Sequence, residues 1–128
     1  MTTKQFEVYV QNRPGEVARV AEALAKNAVN IRGISVDLGG PSSIIRVITD
    51  DEASARSALK NGGAEFAERD VLVISMPDKP GELAKMTRLL ARSGVNVESL
   101  YILGSKTSDI QVAVGVDQRE KAQSLLLK

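Results

Sequence analysis

Two stretches decide how this chain folds: "NRPGEVARVAEALAKNAVNI", from Asn12 to Ile31, and "DKPGELAKMTRLLARSGVNV", from Asp78 to Val97. Pro14 and Pro80 stand 66 positions apart, and that offset pairs Gly15, Glu16 and Ala18 with Gly81, Glu82 and Ala84. The same offset pairs Leu24 with Leu90 and Asn30 with Asn96. It reaches on to Ser42 and Ser108, Ile44 and Ile110, Asp51 and Asp117, and Leu59 and Leu125. A register that survives loops as well as helices marks an internal repeat and sets the unit of the fold. The unit is about 65 residues, and the 128-residue chain holds nearly two, residues 1–69 and 70–128.

Each unit reads as strand, helix, strand, strand, helix, strand. Phe6, Val8 and Val10 alternate with Gln5, Glu7 and Tyr9, the period of a half-buried strand. Proline and glycine then open a helix, where proline's missing N–H costs nothing. Its apolar stripe is Val17, Val20, Leu24 and Ala28 in the first repeat, and Leu83, Met86, Leu90 and Gly94 in the second. Ile34, Val36 and Leu38 mark a second strand, "GGPS" (39–42) a turn, and "SIIRVIT" a third strand. A short helix follows in "DDEASARSALKNGG", and "AEFAE" closes the unit as its fourth strand. The expected architecture is α+β: two ferredoxin-like βαββαβ modules, each an antiparallel sheet with helices on one face.

The second repeat ends early. By the offset, Lys128 corresponds to Gly62, so nothing matches the strand at Ala64 to Glu68. The strand Val71 to Met76, apolar on both faces, is then expected to show an unpaired edge that another chain covers, most simply in a homodimer.

Composition narrows the function. The chain has no cysteine and no histidine, which removes disulfides, thiolate chemistry, and the commonest general base and metal ligand. Net charge is +1 with acidic and basic residues interspersed, so no nucleic-acid footprint stands out. No apolar run approaches membrane-spanning length, and the N-terminus has no apolar signal core. A cytoplasmic protein with no metal, no cofactor, no membrane and no catalysis is expected.

The fold order, with "NRPGEVA" and "AVNIRGIS" in the first repeat and "DKPGELA" and "SGVNVESL" in the second, resembles the ACT domain. ACT domains are small regulatory modules that bind amino acids where two modules meet. The resemblance implies that the β1–α1 loop of one module and the start of β2 in the other supply the contacts. The implied residues are Asn12, Arg13, Pro14, Gly15, Glu16 and Val17 facing Asn96 and Val97, and Asp78, Lys79, Pro80, Gly81, Glu82 and Leu83 facing Asn30 and Ile31. Physical chemistry is consistent with that use. A helix start offers N–H groups without intrahelical partners and a positive dipole end, which suit an α-carboxylate. A glycine lets ligand atoms approach the backbone. Asn12 or Asp78 can accept from an α-ammonium, Asp78 more strongly because its bond is charge-assisted. Plainer roles stand beside these: Asn12 and Asp78 as helix caps, Glu16 and Glu82 as first-turn carboxylates on the dipole, and Asn30 and Asn96 as turn residues.

Other owners of this strand order fit less well. An RNA-binding module needs aromatics on its central strands, and "SIIRVIT" and "DIQVAVGV" carry none. A metal carrier would need paired cysteines. The remaining alternative is a regulatory subunit of an amino-acid biosynthetic enzyme working through protein contacts. "VNVESLYI" is similar to the acetolactate synthase small subunit, and "DKPGELA" to the paired modules of aspartokinases. With no kinase domain before it in this sequence, the chain resembles a free-standing tandem ACT protein.

Overall fold

A computed structural model of the chain describes residues 1–40 and 43–127. The chain forms two compact units, Lys4–Arg69 and Met1–Thr3 together with Asp70–Lys128. The match of Ser42 with Ser108, the Pro41–Ser42 half of the "GGPS" turn and the match of Lys128 with Gly62 lie outside the described residues.

In the unit Lys4–Arg69 the elements are β1 (Thr2–Val10), α1 (Glu16–Lys26), β2 (Ile31–Asp37), β3 (Ser43–Thr49), α2 (Glu52–Asn61) and the first part of β4 (Glu65–Pro77). The strands lie in the order β2-β3-β1-β4. β3 runs antiparallel to both neighbours, with Phe6 opposite Val47 and Val8 opposite Ile45. The period-two pattern therefore places Phe6, Val8, Ile45 and Val47 on one face. That face packs with Val20 and Leu24 of α1 and Ala55, Ala58 and Leu59 of α2 in one buried core. Each large side chain so buried stabilises the unit by about 1.5–3 kcal/mol.

The second unit repeats this plan. Its strands follow the order β4-β6-β5, with β5 at Val97–Lys106 and β6 at Asp109–Val116. Leu72, Ile74, Val112 and Val114 form the core with Met86 and Leu90 of α3 (Glu82–Arg92) and Ala122 of α4 (Arg119–Leu126). Among the described residues α4 is the last element. The edge of β4 is nonetheless engaged by the chain itself: the Val73 N–H donates to the Met1 carbonyl at 2.8 Å. The edge expected to be unpaired is therefore paired at Val73 by the chain's own N-terminus. Expected as two strands, Glu65–Pro77 is one continuous strand of 13 residues.

Three further readings change. The 66-residue offset holds only up to the second hairpin. Ile45, Val47 and Ala55, all fully buried, correspond to Val112, Val114 and Ala122, which are 67 positions on. The extra residue sits at a bulge in β5, where the pairing jumps between Ile102 and Gly104. The β2 stripe is the second change. Ile34 and Val36 lie opposite core residues, yet they are exposed because β2 is the edge strand of its unit. Ile102 of β5, also an edge strand, is 60% exposed.

The helix stripes also end sooner than expected. α1 stops at Lys26 and α3 at Arg92, and the cores are completed by Val29 and Val95 instead of Ala28 and Gly94. The two chain reversals match: the N–H groups of Val29 and Val95 donate to the carbonyls of Leu24 and Leu90 at 3.0 and 2.9 Å. Gly94 sits at φ 74° and Ala28 at φ 57°, so only the second repeat has the residue this turn favours. Left-handed backbone costs a Cβ-bearing residue about 1–2 kcal/mol, partly offset by glycine's greater unfolded freedom. Ala28→Gly is expected to stabilise the protein by about 0.5–1 kcal/mol in urea unfolding, and Gly94→Ala to destabilise it by a similar amount.

Candidate functional site

The two Pro-Gly loops have one backbone design. Pro14 and Pro80 are not in the helix: each precedes a glycine that is the N-cap residue, and the first helical residues are Glu16 and Glu82. Gly15 has φ 90° and ψ −8°, and Gly81 has φ 90° and ψ −14°. In the second loop the Glu82 N–H points back to the Lys79 carbonyl at 3.4 Å, giving a turn with proline second and left-handed glycine third, the type II arrangement. Glycine is needed here for that φ. A Cβ at either position would meet no protein atom within 4 Å, so both glycines face open space.

No side chain caps either helix, so Asn12 and Asp78 are not caps. The first backbone bonds of the helices are Arg19 N–H to the Gly15 carbonyl and Lys85 N–H to the Gly81 carbonyl, both 2.9 Å. The N–H groups of Val17 and Ala18, and of Leu83 and Ala84, precede those bonds and have no acceptor inside their helices. Asn12 to Gly15 and Asp78 to Gly81 are exposed, Val17 is half-buried against its core, and Leu83 is exposed.

Side chains distinguish the loops. In the first, Glu16 is 4% exposed and gathers three donors: the Gln11 N–H at 3.2 Å, Arg13 Nε at 3.2 Å and Arg19 Nη2 at 3.0 Å. Arg13 thus pairs within its own loop. The Gln11 N–H bond lowers the Glu16 pKa most; burial opposes it, and the two arginines add to the lowering. A carboxylate with a depressed folded pKa contributes stability that is present above its unfolded value of about 4.3 and is lost as pH falls through the lower folded value. Unfolding free energy is therefore expected to fall as pH drops below about 4.3, and Glu16→Gln to flatten that slope in pH-resolved urea melts.

Position for position, the second loop lacks this arrangement. Pro77 stands where Gln11 stood and has no N–H, while Lys79 and Lys85 replace Arg13 and Arg19. Among the described residues Glu82 pairs only with Lys85, at 3.5 Å. The Asp78 N–H instead donates to the Ser108 carbonyl at 2.8 Å, tying the loop to the β5–β6 hairpin tip. An open depression of about 370 Å³ lies there, lined by Pro77, Asp78, Lys79, Ser108 and Asp109.

The strand starts are held alike in both units. The Asn30 N–H donates to Asp50 Oδ1 at 3.0 Å, and the Asn30 carbonyl accepts the Asp50 N–H at 3.1 Å. Asn96 makes the same pair with Asp117, at 2.9 and 3.2 Å. The asparagine side chains remain exposed, while Ile31 and Val97 are half-buried against their cores. Among the described residues, no hydrogen bond joins Asn12–Val17 to Asn30 or Ile31, or Asp78–Leu83 to Asn96 or Val97. Asp50 was not singled out in the sequence, and Asp117, paired there with Asp51, is instead the counterpart of Asp50. The only signal for them was an aspartate just past the third strand of each repeat. Among the described residues no cluster of acidic side chains could hold a metal ion, and no helix is long and apolar enough to cross a membrane.

Comparison with known proteins identifies the fold and the family. A crystal structure of a protein from Bacteroides thetaiotaomicron is 29% identical, with TM-score 0.88, over 98% of this chain and 86% of that one. The regulatory subunit of aspartate kinase from Thermus thermophilus shares the fold at 24% identity and TM-score 0.68, over 98% of this chain and 88% of that one. An aspartokinase of Corynebacterium efficiens is 28% identical over 92 residues, which cover 69% of this chain but only 22% of that protein's length. The family described as the ACT domain pair matches residues 1–128. With both repeats and both Pro-Gly loops inside that match, the chain belongs to the ACT domain pair family.

Proposed function

We propose that this chain is a non-catalytic, cytoplasmic regulator that binds a free amino acid through its Pro-Gly loops, where ACT modules meet, and acts as a homodimer on an amino-acid biosynthetic enzyme. The observation that carries the reading is the duplicated loop: a left-handed glycine, exposed and facing open space, directly before helix N–H groups with no acceptor in the helix. Such a place favours a carboxylate. The likeness to a regulatory subunit of aspartate kinase supports the regulatory role and the kind of enzyme served.

A thermal-shift screen against the twenty protein amino acids, one at a time, tests this. A true ligand is expected to stabilise the protein by about 2.7 kcal/mol at a hundredfold excess over Kd. A control at Gly81 must respect its backbone: valine at φ 90° adds strain with or without ligand, whereas asparagine tolerates that region. The double variant Gly15→Asn/Gly81→Asn is expected to fold and to lose most of the shift. Absence of any shift would contradict amino-acid binding by the chain alone and direct the search to a partner enzyme.

A further inference from the structure

Asn61 is the one asparagine of the chain that a glycine follows; Asn12, Asn27, Asn30 and Asn96 precede arginine, alanine, isoleucine and valine. The pairing matters chemically. With no Cβ on the next residue, its backbone nitrogen can reach the asparagine side chain. The Gly62 nitrogen gives its proton to hydroxide and bonds to the side-chain carbonyl carbon of Asn61, closing a five-membered succinimide. Ammonia leaves, taking a proton from water. A water molecule then opens the ring at either carbonyl, giving aspartate or isoaspartate. The sum is amide plus water to acid plus ammonia, with no electron transferred.

In the fold this reaction is held back. Asn61 is the last residue of α2 and is exposed, so water reaches it. The attacking nitrogen is engaged, because the Gly62 N–H donates to the Ala58 carbonyl at 3.0 Å. The N–H groups of Gly63 and Ala64 donate to the carbonyls of Lys60 and Leu59 at 3.1 and 3.0 Å, which ties down the whole turn. The helices are also close here: a Cβ on Gly62 would lie 3.3 Å from the Ala23 Cβ of α1.

We propose that Asn61 is a site of spontaneous deamidation, gated by the last turn of α2, and that its conversion loosens the first unit alone. Isoaspartate lengthens the main chain by one carbon where Gly62 must reach Ala58 and fit beside Ala23. Either product also sets a negative charge at the helix C-terminus, the end that disfavours it. The second repeat contains no Asn-Gly pair and is spared.

Ageing the full chain in warm, mildly alkaline buffer tests this, with mass spectrometry of the intact chain and of its peptides. The first product is expected at Asn61 and absent from Asn61→Gln. It is expected to form about tenfold or more slowly in the native chain than in guanidinium chloride, since the turn must open first. In the aged protein, amide exchange is expected to quicken at Gly62 and Ala64 and to stay unchanged at Val95. Earlier conversion of another asparagine, or equal rates in the native and unfolded chains, would overturn the gated site. Unchanged exchange at Gly62 and Ala64 would overturn the loosening.

Discussion

Replacing Phe6 by alanine lowers the unfolding free energy by about 3–5 kcal/mol. Phe6 is 1% exposed at the centre of the first core, opposite Val47 on β3. Its ring also meets Phe66 edge-on, with centroids 5.9 Å apart, a contact worth about 0.5–1.5 kcal/mol beyond the area it buries. The chain has only two phenylalanines, and this substitution removes one and strips the other of its partner. Sheet and helices converge on the site, so a cavity left there cannot collapse without moving backbone. Urea unfolding of the variant, with the m-value unchanged, checks the figure.

The corresponding loss in the second unit is Leu90→Ala, expected to cost about 2–5 kcal/mol. Leu90 is fully buried among Leu72, Val112 and Val114. Its carbonyl also accepts the N–H groups of Ser93 and Val95, at 3.1 and 2.9 Å, in the reversal that sends the chain toward Asn96. Loosening this residue therefore reaches the strand start as well as the core. Besides the stability loss, faster amide exchange is expected at Val95 and Asn96. Exchange there equal to that of the unaltered protein would show that the reversal holds without the leucine.

Much of this fold was legible in the sequence because two periods carry it. Alternation in β1 and the helical stripes of α1 and α3 answer to the same burial that the structure shows at Phe6, Val8, Val20, Leu24, Met86 and Leu90. The slip from 66 to 67 was hidden because neighbouring positions are chemically alike. Ser43, Ile44 and Ile45 run apolar enough to match "DIQV" in either register, and the local mark of the bulge, Gly104 at φ 148° just past Leu103, has no glycine in the first repeat to be compared with. Met1–Thr3 joining the second unit was invisible for a different reason. A backbone bond from Val73 to Met1 depends on sheet position, and no side chain announces it.

For the loops, the Pro-Gly step marked where the helices start, but not the positive φ of Gly15 and Gly81. Residue types misplaced the proline by putting it inside the helix. Glu16 looked like one of two equal first-turn carboxylates. What makes it different is the set of donors around it, and those were readable only as differences: Gln11 against Pro77, Arg13 against Lys79, Arg19 against Lys85. Pairing the repeats by likeness passes over such positions, where their chemistry diverges.

The central claim is that an amino acid binds on the loop backbone ahead of a helix. At 13.7 kDa the chain suits amide NMR, and an ¹H–¹⁵N titration with the amino acid that most raises the melting temperature tests the claim most directly. The account predicts that the largest saturable shifts fall on the loop amides, Gly15, Val17 and Ala18 or Gly81, Leu83 and Ala84. Saturable shifts confined to other parts of the chain, with these amides unmoved, would contradict it.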